Sequence, residues 1–299
     1  MPSWRIFVRV YDECSSQKGT VSVWRSPVIT YNCFMKPQVY ITSLNEKLYW
    51  QYGRNFIESW LKNAALDMVL IVVHEEQAAQ YLASHSTANV IPMSLASDEH
   101  QHFKRKFGNF TEAAGLTLMP TTPNSDTYQT AYNYRFDALK FSFKIFALTK
   151  VLRAGLVADH FAWIDADVVC RKPVTTADMA PMFPEQHQIA SYLGRSQFPQ
   201  PNPYSECGFV GYRFSNPDVL TFIEEFESLY LTGDIFSLRE WHDSYIFDVL
   251  RFKFQENGSE FKNLVEHLPE SDHPFMQSAL AEFFDHLKGP ERKACGYSM

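Results

Sequence analysis

The stretch Phe161-Ala-Trp-Ile-Asp165-Ala-Asp167-Val-Val-Cys170 holds the residues most able to do chemistry. An apolar run enters an Asp-x-Asp pair, and apolar residues follow at once. Carboxylates at the end of a buried strand need a positive partner. Residues i and i+2 of a strand point to the same side, so Asp165 and Asp167 can face one cation together. Mg²⁺ and Mn²⁺ take oxygen ligands of this kind and commonly share them with a diphosphate. Taken alone, the same pair also fits a solvated turn at a strand end.

Three further groups follow in order: Glu206-Cys-Gly-Phe-Val210, Trp241-His-Asp-Ser-Tyr-Ile-Phe247, and His286-Leu-Lys-Gly289 with Arg292-Lys293 behind it. The ordered set resembles the metal-dependent glycosyltransferases of the GT-A fold, especially the glycogenin-like group, and the resemblance covers roughly residues 37–293. That group places an Asn-Ser-Gly-type strand after its Asp-x-Asp strand end, then an Asp-Gln helix start, and closes on His-x-x-Gly-x-x-Lys. The resemblance implies that Asp165, Asp167 and His286 hold Mn²⁺ or Mg²⁺, with Asp165 also meeting the ribose or diphosphate. It implies that Gly289 lets backbone approach the diphosphate and that Arg292 or Lys293 contacts phosphate. Asp243 matches the family's Asp near the acceptor and the reacting sugar. Gly208 corresponds to the Asn-Ser-Gly strand, from which Glu206 and Cys207 depart. Thr42, Ser43 and Asn45 end the first strand, where such folds bind the nucleotide base, and Tyr49 is placed to stack on it. Arg135 and Lys144 lie on the segment leading to the Asp-x-Asp strand and are candidates to reach the nucleotide.

The implied activity is transfer of a sugar from a nucleoside diphosphate, UDP by resemblance, to an acceptor hydroxyl with retained configuration. Negative charge develops on the departing β-phosphate, and a divalent cation stabilises it. The sugar becomes oxocarbenium-like, so a carboxylate near its anomeric face helps, and Asp243 and Glu206 are the catalytic candidates. In an inverting reaction one of them would be the general base. The acceptor stays open among a glycan, a protein side chain and a modified base in DNA. A sugar-nucleotide nucleotidyltransferase shares the acidic metal site, but Val39 to Asn45 lacks its Gly-rich phosphate loop. A sugar-binding protein without catalysis is a third class.

These residues need a scaffold. Val39-Tyr-Ile-Thr-Ser and Met68-Val-Leu-Ile-Val-Val73 read as buried strands, with Tyr49, Tyr52, Phe56 and Trp60 on a helix between them. A helix and a short strand near Val90-Ile91 come next, and a long helix is expected over 128–153. Ile189–Leu193 and Cys207 onward read as strands. Asn216-Pro217 starts a helix with a buried stripe, and another helix is expected over 239–253. The alternation predicts an α/β fold, a Rossmann-like GT-A-type mixed sheet flanked by helices. The expected organisation is a small N-terminal β-hairpin in 1–36, a nucleotide-sugar-binding half over 37–173, and an acceptor half with a metal- and diphosphate-binding tail over 174–299.

Composition sets the outer bounds. The 299 residues are 45% hydrophobic and 20% charged, ordinary for a globular protein. The 25 Phe and 15 Tyr suit a thick core and a stacking groove. A net charge of −7 gives no global attraction to nucleic acid. Lys104-Arg-Lys106 reads as a solvated helix face. Five scattered cysteines without Cys-x-x-Cys spacing read as reduced thiols. With neither a span-length apolar run nor a signal-peptide pattern, the expectation is a cytoplasmic protein without a membrane span.

Overall fold

Val39 and Ile41 point to one side of the first strand, Tyr40, Thr42 and Leu44 to the other, and all five are buried. A strand apolar on both faces belongs in the middle of a sheet covered on both sides. The computed structural model bears this out. It describes residues 37–75, 79–122, 126–156, 158–195, 204–265 and 273–289. The hairpin expected in 1–36, together with Arg292 and Lys293, lies outside the described residues.

In chain order the strands are β1 (Gln38–Leu44), β2 (Met68–His74), β3 (Val90–Ser94), β4 (Leu116–Pro120), β5 (Tyr128–Tyr132), β6 (His160–Ile164), β7 (Val168–Cys170), β8 (Gln188–Leu193), β9 (Glu206–Arg213), β10 (Glu260–Asn263) and β11 (Phe284–His286). Seven of them make one sheet in the order β10-β8-β9-β6-β1-β2-β3. Its β6-β1-β2-β3 side is parallel, while β9 runs antiparallel to both β6 and β8. The expected mixed α/β sheet flanked by helices is therefore present, and strands from both sides of residue 173 share it. One face carries Val39 and Ile41 against Ile145 and Phe146 of the helix Ala138–Arg153 and Phe222 of the helix Asp218–Thr232. The opposite face carries Tyr40 and Leu44 against Phe56 and Trp60 of the helix Arg54–Asn63.

Three local readings change. Residues 128–132 are not the start of the long helix: they are β5, paired with β4 as a hairpin. The helix begins only at Ala138, capped by Asp137, whose side chain accepts from the Lys140 amide. The helix expected between β2 and β3 is the 3₁₀ segment Gln80–His85. The helix expected over 239–253 starts at Asp243 and runs to Glu256. Among the described residues, no helix is long and apolar enough to cross a membrane, and the buried Cys170 and Cys207 are free thiols.

Candidate active site

The carboxyl ends of parallel strands β1 and β6 lie side by side, the usual place for a ligand in an open α/β sheet. Asp165 immediately follows β6, and its amide donates to the Gly208 carbonyl on β9 at 2.9 Å. Two residues on, Asp167 sits in the turn before β7. The chain returns to this turn much later. Strand β11 pairs antiparallel with β7, setting His286 opposite Val168, and the Leu287 amide donates to the Asp167 carbonyl at 2.8 Å. That pairing, rather than any local signal, delivers the imidazole to the acidic pair.

His286 is fully buried. Its Nε2 lies 3.0 Å from Asp167 Oδ1 and 3.8 Å from Asp165 Oδ2. One ligand atom from each of the three residues falls within 4.8 Å of the others. Two carboxylates and an imidazole suit a hard or borderline divalent cation. The remaining ring nitrogen, Nδ1, is buried without a hydrogen-bond partner among the described residues and faces Glu206 Oε2 at 3.7 Å. A carboxylate on the far nitrogen of a metal-binding imidazole is a common way to orient the ring. The residues present thus fit a cation.

Lys144 holds the site from the helix Ala138–Arg153. Its ammonium pairs with Asp243 Oδ2, lies 3.2 Å from Asp165 Oδ1 and donates to the Cys207 carbonyl at 2.8 Å. Burial opposes its charge, but Asp165 and Asp243 outweigh that and raise its pKa. Burial likewise opposes ionisation of Asp243, and Lys144 reverses this, so the carboxyl titrates below its usual range. The Trp163 indole donates to Asp165 Oδ1 at 2.7 Å, which fixes that carboxylate further.

The second ammonium belongs to Lys288, 3.3 Å from Glu206 Oε1, with a side chain 42% exposed. Burial works against a charged Glu206, but Lys288 and His286 prevail and bring its carboxyl down to about 2. Beyond Glu206 lies His273. Among the described residues neither of its buried ring nitrogens has a hydrogen-bond partner, and burial lowers its pKa to about 3.

The other expected residues take up the following places. Thr42 is fully buried, its hydroxyl without a partner among the described residues, and Ser43 is half-buried beside it. Asn45 caps the helix that follows, accepting from the Leu48 amide at 3.0 Å and donating to Glu75 Oε2 at 2.9 Å. Tyr49 is buried, with its hydroxyl 2.7 Å from His85 Nε2, so its ring offers no open face; the neighbouring Trp50, 60% exposed, does. Arg135 lies 3.6 Å from Glu240 Oε1, in the 3₁₀ turn before the helix. Gly289 has a φ of 86°, a left-handed conformation that favours glycine, and bends the chain directly after Lys288.

Lys288, His273 and Trp163 escaped the sequence reading. Lys288 lies just past the end of β11, where its amide donates to the His286 carbonyl at 2.9 Å, so no strand periodicity marks it. Nothing in the sequence around His273 marks it.

A cleft of about 340 Å³ opens between the ends of β8 and β9 and the helix Asp243–Glu256. Tyr192, Tyr204, Tyr245, Arg195, Asp248 and Phe252 line it.

No protein-family model matches this chain, and no curated protein matches it in sequence. Solved structures with a similar course of chain include mouse xyloside xylosyltransferase 1 in its apo form. That match has 11% identity and a TM-score of 0.41, and covers 76% of this chain and 85% of that one. A glycosyltransferase involved in glycosylation of the major capsid of PBCV-1 matches at 11% identity and TM-score 0.40, over 87% of this chain and 98% of that one. The apo form of glycosyltransferase GlyE of Streptococcus pneumoniae matches at 7% identity and TM-score 0.42. It covers 75% of this chain, which spans only 44% of that larger protein. At such scores the likeness decides nothing about chemistry, and the reading below stands on the residues of the site.

Proposed function

We propose that this chain is a glycosyltransferase that moves a sugar from a nucleoside-diphosphate donor, UDP-linked by resemblance, to an acceptor hydroxyl. The observation that carries the reading is the meeting of Asp165, Asp167 and His286, with ligand atoms within 4.8 Å of one another, at the carboxyl edge of an α/β sheet. Asp165, Asp167 and His286 would hold Mn²⁺ or Mg²⁺, which when bound supplies positive charge where the diphosphate departs.

The chain's own groups do the rest. Lys288 reaches toward solvent from beside the ligand set and binds phosphate oxygens by a charge-assisted hydrogen bond. Gly289 turns the backbone away so that the diphosphate can lie close. Lys144 fixes Asp165 and Asp243 at once, which preorganises two carboxylates that would otherwise repel. Asp243, kept ionised by that ammonium, is the carboxylate assigned to the positive charge developing on the sugar. Glu206 sits behind His286, with its Oε2 3.7 Å from Nδ1. Ser43 and Asn45 lie at the edge assigned to the nucleoside, and the exposed Trp50 offers the base a stacking face. The tyrosine-lined cleft suits an acceptor bearing a sugar, since aromatic faces pack on the apolar faces of sugar rings while Arg195 and Asp248 offer polar contacts.

The test is binding followed by turnover. Thermal shift with UDP should require Mn²⁺ or Mg²⁺, and the shift should vanish in Asp167→Asn. Slow hydrolysis of a UDP-sugar should show the same two dependences. Equal stabilisation by UDP in EDTA and in Mn²⁺ would defeat the reading.

A further inference from the structure

His286 shows chemistry on both sides of its ring. Through Nε2 it faces the Asp165–Asp167 pair. Through Nδ1 it faces a second group, in which one atom each of Glu206, His273 and His286 falls within 4.8 Å of the others. Glu206 Oε2, His286 Nδ1 and both nitrogens of His273 are buried and have no hydrogen-bond partner among the described residues. Buried polar atoms are almost always satisfied in folded proteins, so four orphans around one point call for an occupant. The two imidazoles stand edge to face, with ring centroids 5.0 Å apart and planes at 88°. Backbone has made room as well. A Cβ on Gly208 would lie 2.5 Å from His286 Cε1 and 2.9 Å from Glu206 Oε2.

We propose that Glu206, His273 and the Nδ1 side of His286 form an inner site for a transition-metal ion of the Zn²⁺ or Co²⁺ class, distinct from the outer site and antagonistic to it. The donor sets differ in kind. The outer group offers two carboxylates and one imidazole, while the inner group offers two imidazoles and one carboxylate. Two imidazoles with one carboxylate is a well-known zinc ligand set that leaves a coordination position for water.

Antagonism follows from the tautomer. A neutral imidazole has one lone pair, and its other nitrogen carries the proton. A metal on Nδ1 puts that proton on Nε2, facing Asp167, and withdraws His286 from the outer set. Lys288 now neutralises Glu206 through Oε1, but its side chain is 42% exposed, so the ammonium can swing into solvent when a cation arrives. His273 belongs to the inner group alone and is the residue that separates the two sites.

The experiment titrates metals into the 299-residue chain without a nucleotide. Co²⁺ binding is followed by visible absorption, Mn²⁺ binding by electron paramagnetic resonance, and folding by circular dichroism. Asp165→Asn/Asp167→Asn should lose Mn²⁺ binding yet still take up one Co²⁺. His273→Gln should weaken that Co²⁺ binding at least tenfold and keep Mn²⁺ binding. Zn²⁺ should expel Mn²⁺ from the wild type and do so far less in His273→Gln. The inner site is refuted if the double Asp variant takes up no Co²⁺, or if His273→Gln binds Co²⁺ as the wild type does. The Asp variant needs no change at His273, so that arm stands even where His273→Gln fails to fold. Loss of Mn²⁺ binding there reports on the outer site separately.

Discussion

Gly208 of β9 and His286 of β11 are in such close contact that no side chain fits at position 208: a Cβ there would lie 2.5 Å from His286 Cε1. The glycine is needed for space and not for its backbone angles. Gly208→Ala must push the imidazole, and His286 Nε2 is only 3.0 Å from Asp167. Displacing a ligand's supporting contacts commonly costs about 10–100-fold in metal affinity. Mn²⁺ affinity of Gly208→Ala is therefore expected to fall by roughly that factor, with the fold kept. An unchanged affinity in a Mn²⁺ titration would show that the imidazole does not ligate.

Lys144 should matter for stability as well as for the site. Its ammonium serves Asp165 and Asp243, with side chains of the three residues only 14%, 24% and 9% exposed. Removing one partner of a buried pair strands the other charge and costs roughly 3–5 kcal/mol. Lys144→Met is expected to lose about that much in urea denaturation. A loss under about 1 kcal/mol would mean that solvent already screens the cluster.

Lys288 separates binding of the diphosphate from binding of the cation. A hydrogen bond to a charged group is worth roughly 1.5–3 kcal/mol, so Lys288→Ala should weaken UDP by about tenfold or more in calorimetry. Mn²⁺ affinity should hold, because Lys288 donates no lone pair. Equal losses of both would place the lysine's effect on the fold around Glu206.

Acid should destabilise this protein well before the ordinary carboxylate range. Burial, helped by Lys104, lowers the pKa of His100 to about 4, and burial lowers that of His273 to about 3. Glu206 is brought to about 2 by its cationic neighbours against the effect of burial. In each case the unfolded chain binds the proton more readily than the folded one. The stabilising contribution is complete above the unfolded values, about 6.5 for His and 4.3 for Glu. It is lost as pH falls toward the folded values. Urea midpoints should fall from pH 6.5 downward, first through the histidines and then through Glu206. His100→Gln should flatten the upper part of that slope. A constant midpoint between pH 7 and 5 would contradict the burial of these rings.

Much of the scaffold was readable because its signals are local. β1 and β2 are apolar on both faces, and Asn216 caps its helix as its sequence suggests, accepting from the Asp218 amide at 2.9 Å. The hairpin at 116–132 was missed for a physical reason. Of Tyr128–Tyr132 only Ala131 is even half-buried, so no alternation of apolar and polar residues marks the strand. Asp165 and Asp167 announced themselves by being charged within an apolar run. His286 was found through a spaced pattern, not through its strand, which is three residues long and held only by pairing with β7. His273 and Lys288 depend on where distant segments meet, and sequence spacing records that poorly.

The lateness of β11 orders events on the ribosome. His286 follows Asp167 by 119 residues. At a synthesis rate of about 5–20 residues per second, the imidazole is made roughly 6–24 s after the acidic pair. Lys144 is translated before Asp165, whereas Asp243, the other carboxylate it serves, follows much later. The group of Asp165, Asp167 and His286 can therefore assemble only after β11 has been made and has paired with β7.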